Sequence, residues 1–349
     1  MCLAPRFEGD SHPRSRYIVT MPALSSPPTY DISRIQNIIQ LLFPPTVRVQ
    51  DVKTLDGHIH PLHQLKLSNG LQLILKFSSR PSTSLLRREC RALETEARVL
   101  ALLGQSENPC IPQLFHFDPL GGSLGSGFLL RQYARGSTVL EMESLLTPEN
   151  RQAIDRHLGN LAKIIGKHVA LSFGPLEKVA NGAGSRSWHQ AFIALFEEAL
   201  RDSEDMFIHL PYSEIRQQIT RLSPALEEIT TPQLVIVNLG RPSEVLIDPE
   251  LKQLSGVIDL GSAFWGDVLL AEIFDNPSSA VLEGYGMSLS HKRLESIRLL
   301  LCVPSHCMFS MASLSNHPSD MRATTAYTGS LSCIIETNMT QAKYKHGED

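Results

Sequence analysis

The segment Ser255-Gly-Val-Ile-Asp-Leu-Gly-Ser-Ala-Phe-Trp-Gly-Asp267 places Asp259 at the end of an apolar run, with Gly261 behind it and Gly266-Asp267 further on. A carboxylate delivered this way can hold Mg²⁺ across nucleotide phosphates, although the same residue also suits a plain turn after a strand. Lys76 closes the run Leu71-Gln-Leu-Ile-Leu, and Glu96 follows 20 residues later. A strand-end lysine can bind phosphate oxygens while a helix glutamate fixes its position. Taken alone, this second pair is more economically a solvated edge lysine and a solvated helix residue.

Several elements are needed to position these groups. After an acidic cap at Asp31, apolar residues at helical spacing predict a short amphipathic helix over 31–43, stopped by Pro44-Pro45. Period-two alternation over 47–53 and 63–77, with the Asn69-Gly70 turn pair, predicts consecutive antiparallel strands. Residues 85–103 carry Leu93, Ala97 and Leu100 on one helical face, and a strand, a Gly-rich turn over 121–127 and the apolar strand 128–133 follow. From Thr147 the pattern turns helical, over 150–169, 188–203 and 212–222, before short apolar strands at 234–237 and 245–248 and a run over 254–259. A sheet-rich first third followed by a helix-rich remainder predicts an α+β bilobal architecture.

With the order of segments in place, a resemblance becomes specific. Gly-Val-Ile-Asp259-Leu-Gly-Ser-Ala-Phe-Trp-Gly-Asp267 resembles the metal-binding segment of the aminoglycoside-phosphotransferase family within the kinase-like superfamily, closest to its fungal members, which read Ala-x-Trp-Gly-Asp here. Glu94-Thr-Glu96-Ala-Arg-Val-Leu is similar to the family's αC helix, and Phe128-Leu-Leu-Arg-Gln-Tyr-Ala-Arg-Gly136 to its hinge strand. The likeness spans residues 45–300. It implies a protein-kinase-like bilobal fold with a β-rich N-lobe over 29–136 and a mainly helical C-lobe over 137–302. It also implies ATP and Mg²⁺ as cofactors, with Lys76, Glu96, Arg131 and Tyr133 at the nucleotide and Asp259 with Ser243 at the metal.

The departures are as informative. Active relatives read Leu-Val-His-x-Asp-Leu-x-x-x-Asn before the metal segment, whereas this chain reads Leu234-Val-Ile236-Val-Asn238-Leu-Gly-Arg-Pro-Ser243-Glu244. The catalytic aspartate is thereby Asn238, and a one-residue insertion leaves Ser243 and Glu244 as alternative second metal ligands. An amide accepts a hydrogen bond but takes no proton, and a positioned general base contributes about 10²–10⁴ in rate. The expectation is a catalytically impaired pseudokinase that retains Mg-ATP binding; the alternative is an active phosphotransferase for a small-molecule hydroxyl, in fungal specialised metabolism, with Asn238 orienting the acceptor. The loop between the first strands offers only Gly57 for closing backbone N–H groups over phosphates. His58, His60 and His63 there read as solvated rather than metal-ligating. Glu204 and Asp205 are the sole acidic candidates for meeting a cationic acceptor.

Composition narrows the partners. A formal charge of -4, with both signs interspersed, excludes a basic field for nucleic acid. The six cysteines show no zinc spacing. No apolar run reaches membrane-spanning length, so a cytoplasmic protein with no membrane partner is expected. Residues 1–28 read as a disordered leader and residues 303–349 as a divergent, disordered tail. A misplaced reading frame or intron boundary would produce the same tail.

Overall fold

The computed structural model describes residues 32–55, 60–79, 85–106, 108–288, 296–299 and 301–302. The leader, the tail, Gly57 and His58 lie outside the described residues. Helix α1 (Ile32–Leu42) leads into strands β1 (Val49–Leu55), β2 (Leu62–Leu67) and β3 (Gln72–Phe77), then α2 (Ala92–Leu103), β4 (Leu114–Asp118) and β5 (Phe128–Gln132). The five strands form one antiparallel sheet in the order β1-β2-β3-β5-β4. The β2–β3 turn falls at Asn69-Gly70, as the alternation predicts, with Gly70 at φ 85.

Both faces of this sheet are covered, which is why β3 is buried along nearly its whole length. On one face, Ile35, Ile38 and Ile39 of α1 pack with Leu65, Leu67, Leu73, Leu75, Phe77, Phe128 and Leu130. Side chains alternate across a strand, so Ile74, Lys76, Leu129 and Arg131 all point the other way. Cross-strand pairing of Lys76 with Leu129 and of Ile74 with Arg131 sets them side by side on that second face.

Beyond β5 the chain continues through β6 (Ser137–Thr138), α3 (Val139–Met142), α4 (Pro148–Gly166), β7 (Gly174–Pro175), α5 (Leu176–Ala180), α6 (Trp188–Asp205) and α7 (Tyr212–Leu222). Strands β8 (Gln233–Ile236), β9 (Val245–Ile247), β10 (Leu254–Val257) and β11 (Ala263–Gly266) precede α8 (Ser279–Tyr285). Two small sheets, β10-β9-β6 and β7-β11-β8, line the helical part where it faces the cleft. The larger core unites these helices and strands with Leu93, Ala97, Val99, Leu100 and Leu103 of α2. Helix α2 therefore belongs to both halves, as an α+β bilobal fold requires of the element between them.

Salt bridges reinforce that bridge. Arg87 reaches Asp202 at 2.5 Å and Asp205 at 2.7 Å on α6, and Arg91 reaches Glu177 at 3.2 Å and Glu198 at 2.6 Å. Asp205 is thus spent on Arg87, and Glu204 pairs with Arg216 at 3.0 Å.

Candidate active site

The site is built from β3 and β5 above, α2 behind, and the β8–β9 and β10–β11 connections below. Together they enclose a cleft of about 360 Å³ lined by Lys76, Arg131, Asn238, Ser243, Glu244 and Asp259 among others. Glu96 is held by the apolar face of α2: it lies within one turn of Leu93, Ala97 and Leu100, all buried, and is itself 1% exposed. Its two oxygens are divided between two cations, Lys76 Nζ at 2.6 Å and Arg131 Nε at 3.0 Å. Lys76 Nζ also donates to Asp259 Oδ1 at 3.3 Å. The sequence-predicted lysine, glutamate and aspartate are therefore brought together, across sequence separations of 20 and 183 residues.

The electrostatics follow from burial and pairing. Burial alone would depress the Lys76 ammonium, but Glu96 and Asp259 outweigh it and hold the lysine above its ordinary value. The ammonium of Lys76 correspondingly pulls the Asp259 carboxyl below the usual carboxylate range. Half of the Asp259 side chain still reaches water, so the carboxylate faces the cleft rather than the core. Strand β10 stops at Val257, two residues short of the expected strand end. Asp259 instead takes the left-handed conformation, φ 58 and ψ 62, which Asp tolerates better than most residues. Gly261 follows because a Cβ there would meet the Ala92 carbonyl oxygen of α2 at 2.8 Å.

Asn238 sits just past β8 and is 5% exposed. Both ends of its amide are engaged: Oδ1 accepts from the Ser262 hydroxyl, and Nδ2 donates to Glu244 and, at 3.3 Å, to the Asp259 carbonyl. Glu244 turns inward and is largely buried, whereas Ser243 is exposed at the cleft rim. Burial and then the nearby Asp259 carboxylate push the Glu244 carboxyl well above its ordinary value. Tyr133 lies away from this cleft, in a second cavity of about 350 Å³ behind the connection between the two halves, with Gln72, Pro112 and Asp248.

Two residues had no signal of their own, and a third was misread. Arg241 bonds Glu272 through both Nε, at 3.1 Å, and Nη2, and reaches Glu244 at 3.3 Å. Glu272 is remote in sequence and carries no motif. His60, read as solvated, is 8% exposed: it lines the cleft with Nδ1 on Ser79 Oγ at 3.1 Å, and burial together with Lys76 lowers its basicity. His63 is also buried, its ring edge-on to Phe77 of β3 at 5.7 Å and its Nδ1 3.1 Å from the Thr54 hydroxyl of β1.

Among the described residues no cluster of three or more His, Cys, Asp or Glu groups is arranged to hold a metal ion. Mg²⁺ needs none, since it commonly binds through one or two carboxylates plus substrate phosphates. Asp259 and the charge-frustrated Glu244 fit that donor set. No helix of the described residues is long and apolar enough to cross a membrane.

A five-stranded antiparallel sheet over a helical half, with a lysine–glutamate–aspartate chain across the cleft, defines the protein-kinase-like fold. The chain is similar to a protein from Ralstonia eutropha JMP134 assigned as an aminoglycoside phosphotransferase, with TM-score 0.62, 12% identity and 90% and 98% of the two chains covered. It is similar, too, to a thermostable mutant of aminoglycoside phosphotransferase APH(4)-Ia in ternary complex with AMP-PNP and hygromycin B: TM-score 0.59, 18% identity, 86% and 98% coverage. A protein from Thermobifida fusca YX-ER1 assigned as a fructosamine-3-kinase gives TM-score 0.59 at 15% identity, with 86% and 98% coverage. At these identities the likeness is one of fold. No protein-family profile matches the chain, and no curated protein matches it in sequence.

Proposed function

We propose that this chain is a kinase-like phosphotransferase homologue, of fungal aminoglycoside-phosphotransferase affinity, that binds a Mg²⁺–nucleoside triphosphate and turns it over poorly. ATP is the triphosphate the family resemblance implies. The observation that carries the reading is Asn238: its amide, where the resemblance puts the base, has both ends bonded beside a Lys76–Glu96–Asp259 chain that is complete. Lys76 would hold phosphate oxygens, and Glu96 with Arg131 would keep Lys76 in place. Asp259, with Glu244 or Ser243, would hold Mg²⁺. When bound, the metal neutralises phosphate charge. Asn238 offers an acceptor hydroxyl no basic lone pair, so positioning survives and proton removal does not.

AMP-PNP bound to one structural neighbour and ADP bound to another support a nucleotide in this cleft. The acceptor would be a small-molecule hydroxyl. With Glu204 and Asp205 tied up in ion pairs, a polycationic acceptor finds little support.

The reading is tested by melting the protein with and without millimolar Mg²⁺–nucleotide while measuring nucleotide hydrolysis and transfer. At about 100 times Kd the ligand stabilises by about 2.7 kcal/mol, a rise of roughly 4–5 °C for a chain of this size. The rise should vanish in Lys76→Ala and Asp259→Ala and should need Mg²⁺. No shift with any nucleotide refutes the site; rapid turnover by the wild type refutes the impairment.

A further inference from the structure

One buried nucleophile in the cleft has no part in the reading above. His60 is 8% exposed, lines the same cleft as Lys76 and Asp259, and its Nε2 has no hydrogen-bond partner among the described residues. A buried ring nitrogen left bare on a cavity wall calls for a partner on whatever enters. The other edge of the ring is held in place. Nδ1 lies 3.1 Å from the Ser79 hydroxyl, and the Phe77 carbonyl accepts from the ring as well. With Nε2 bare, that hydrogen belongs to Nδ1, and Nε2 keeps the lone pair of a neutral imidazole.

The register places this lone pair. Leu62 pairs with Lys76, and the Phe77 amide donates to the Pro61 carbonyl at 2.9 Å, so the ladder reaches to within one residue of His60. By alternation His60 and Leu62 face the same way as Lys76, all three on the cleft wall. Pairing of Leu73 with Gln132 puts the chain connection at the other end of β3, so His60 lies beyond Lys76 on the side away from it. Among the charges around the ring, Lys76 acts most strongly and Asp259 next. The imidazole thus shares the corner where phosphates and Mg²⁺ would be held.

Resting on the nucleotide reading above, we infer that His60 is a phosphoryl acceptor: its Nε2 takes the terminal phosphoryl group of the bound triphosphate, and the chain forms a phosphohistidine. The Nε2 lone pair forms the N–P bond. The bond from the terminal phosphorus to the bridging oxygen breaks, and its electron pair leaves with the nucleoside diphosphate. Nδ1 keeps its hydrogen, so the product ring is a cation, whose charge the nearby Asp259 carboxylate offsets. No proton leaves the attacking atom, and the step needs no general base. A hydroxyl acceptor does need one, and Asn238 cannot serve. The amide that slows transfer to hydroxyls is therefore no obstacle to transfer onto a bare imidazole.

The test uses the full chain and two readouts. Diethylpyrocarbonate acylates bare imidazole nitrogens, and its reaction at His60, followed by peptide mass mapping, should slow roughly tenfold or more under Mg²⁺–AMP-PNP, because at about 100 times Kd only about 1% of sites stay empty. Incubation with Mg²⁺–ATP should then add a phosphoryl group at His60, stable in alkali and lost in acid, and His60→Gln should stay unlabelled. A nucleotide-induced rise in melting temperature with no phosphoryl group on His60 overturns the inference and leaves the nucleotide site standing. So does an acid-stable label on a serine or threonine alone, or a His60 that bound nucleotide does not protect. If nucleotide neither raises the melting temperature nor protects His60, the nucleotide reading itself falls and this inference falls with it. Site mapping on the wild type decides the matter should the variant fail to fold.

Discussion

Replacing Asn238 by aspartate would restore the residue that the family resemblance implies at this position, yet the surroundings of Asn238 predict a penalty. Its Nδ2 donates to Glu244 and to the Asp259 carbonyl, so an aspartate would set a carboxylate against another carboxylate and a carbonyl oxygen. Two carboxylates about 4 Å apart repel by about 4 kcal/mol at an effective dielectric near 20, and the hydrogen bond to a charged acceptor, worth about 1.5–3 kcal/mol, is lost as well. A proton shared between them removes most of this cost. Glu244 is already primed to keep one, because burial and Asp259 hold its folded-state pKa well above the ordinary value. A raised carboxyl pKa contributes stability that is complete below the unfolded value and is lost as pH rises through the folded value. Wild type should therefore lose some stability across that window. Asn238→Asp should lose more, by up to about 1.4 kcal/mol per pH unit between the ordinary carboxylate range and the raised folded value. Urea denaturation at several pH values measures this. Adding Glu244→Gln, whose amide donates to the new aspartate, should abolish the extra slope. Since Glu244 is also a candidate metal ligand, turnover is read on the single variant, where the restored base should raise it by up to about 10²–10⁴ over wild type. An Asn238→Asp variant as stable as wild type at pH 8, or no more active than wild type, would refute the reasoning.

Two further perturbations probe the frame. Glu96→Ala leaves Lys76 and Arg131, both nearly buried, without the carboxylate they share, and should cost about 3–5 kcal/mol in urea denaturation; Glu96→Gln, which keeps the volume, should cost nearly as much if charge rather than packing is at stake. Gly159→Ala should force α4 and α8 apart, since its Cβ would lie 2.2 Å from the Val281 carbonyl oxygen, and a loss below about 1 kcal/mol would show that the helices do not cross so closely.

Local patterns proved readable where a single face decides burial. Helix α7 runs over Tyr212–Leu222, the span its periodicity predicts, and the burial of Leu93, Ala97 and Leu100 on α2 carries Glu96 inward with them. Strand β11 offered no such pattern. All four of its residues, Ala263-Phe-Trp-Gly266, are buried, and its pairing with β7 and β8 joins segments that are distant in sequence, so no alternation announces it. Arg241 and Glu272 are invisible for the same reason, 31 residues apart with nothing local to link them.

The uncertainty between Ser243 and Glu244 has a different origin. The resemblance implies a loop one residue longer than the family pattern, but a sequence does not say where such an excess is absorbed. Here β9 is pinned by its antiparallel partners, Ile247 against Leu254 and Leu246 against Gly256, and the Ile258 amide donates to the Glu244 carbonyl at 2.9 Å. Those contacts hold Glu244 at the base of the strand and aim it inward. The slack must then fall before it, where the Glu244 amide closes a turn onto the Arg241 carbonyl at 2.9 Å and Pro242 and Ser243 loop outward to solvent. The same constraint that places Glu244 at the metal corner also presses it against Asn238. An uncharged amide at residue 238 is what lets a second buried carboxylate sit there, so on the proposed reading an amide in place of the base and a loop that turns Glu244 inward are two parts of one compensated change.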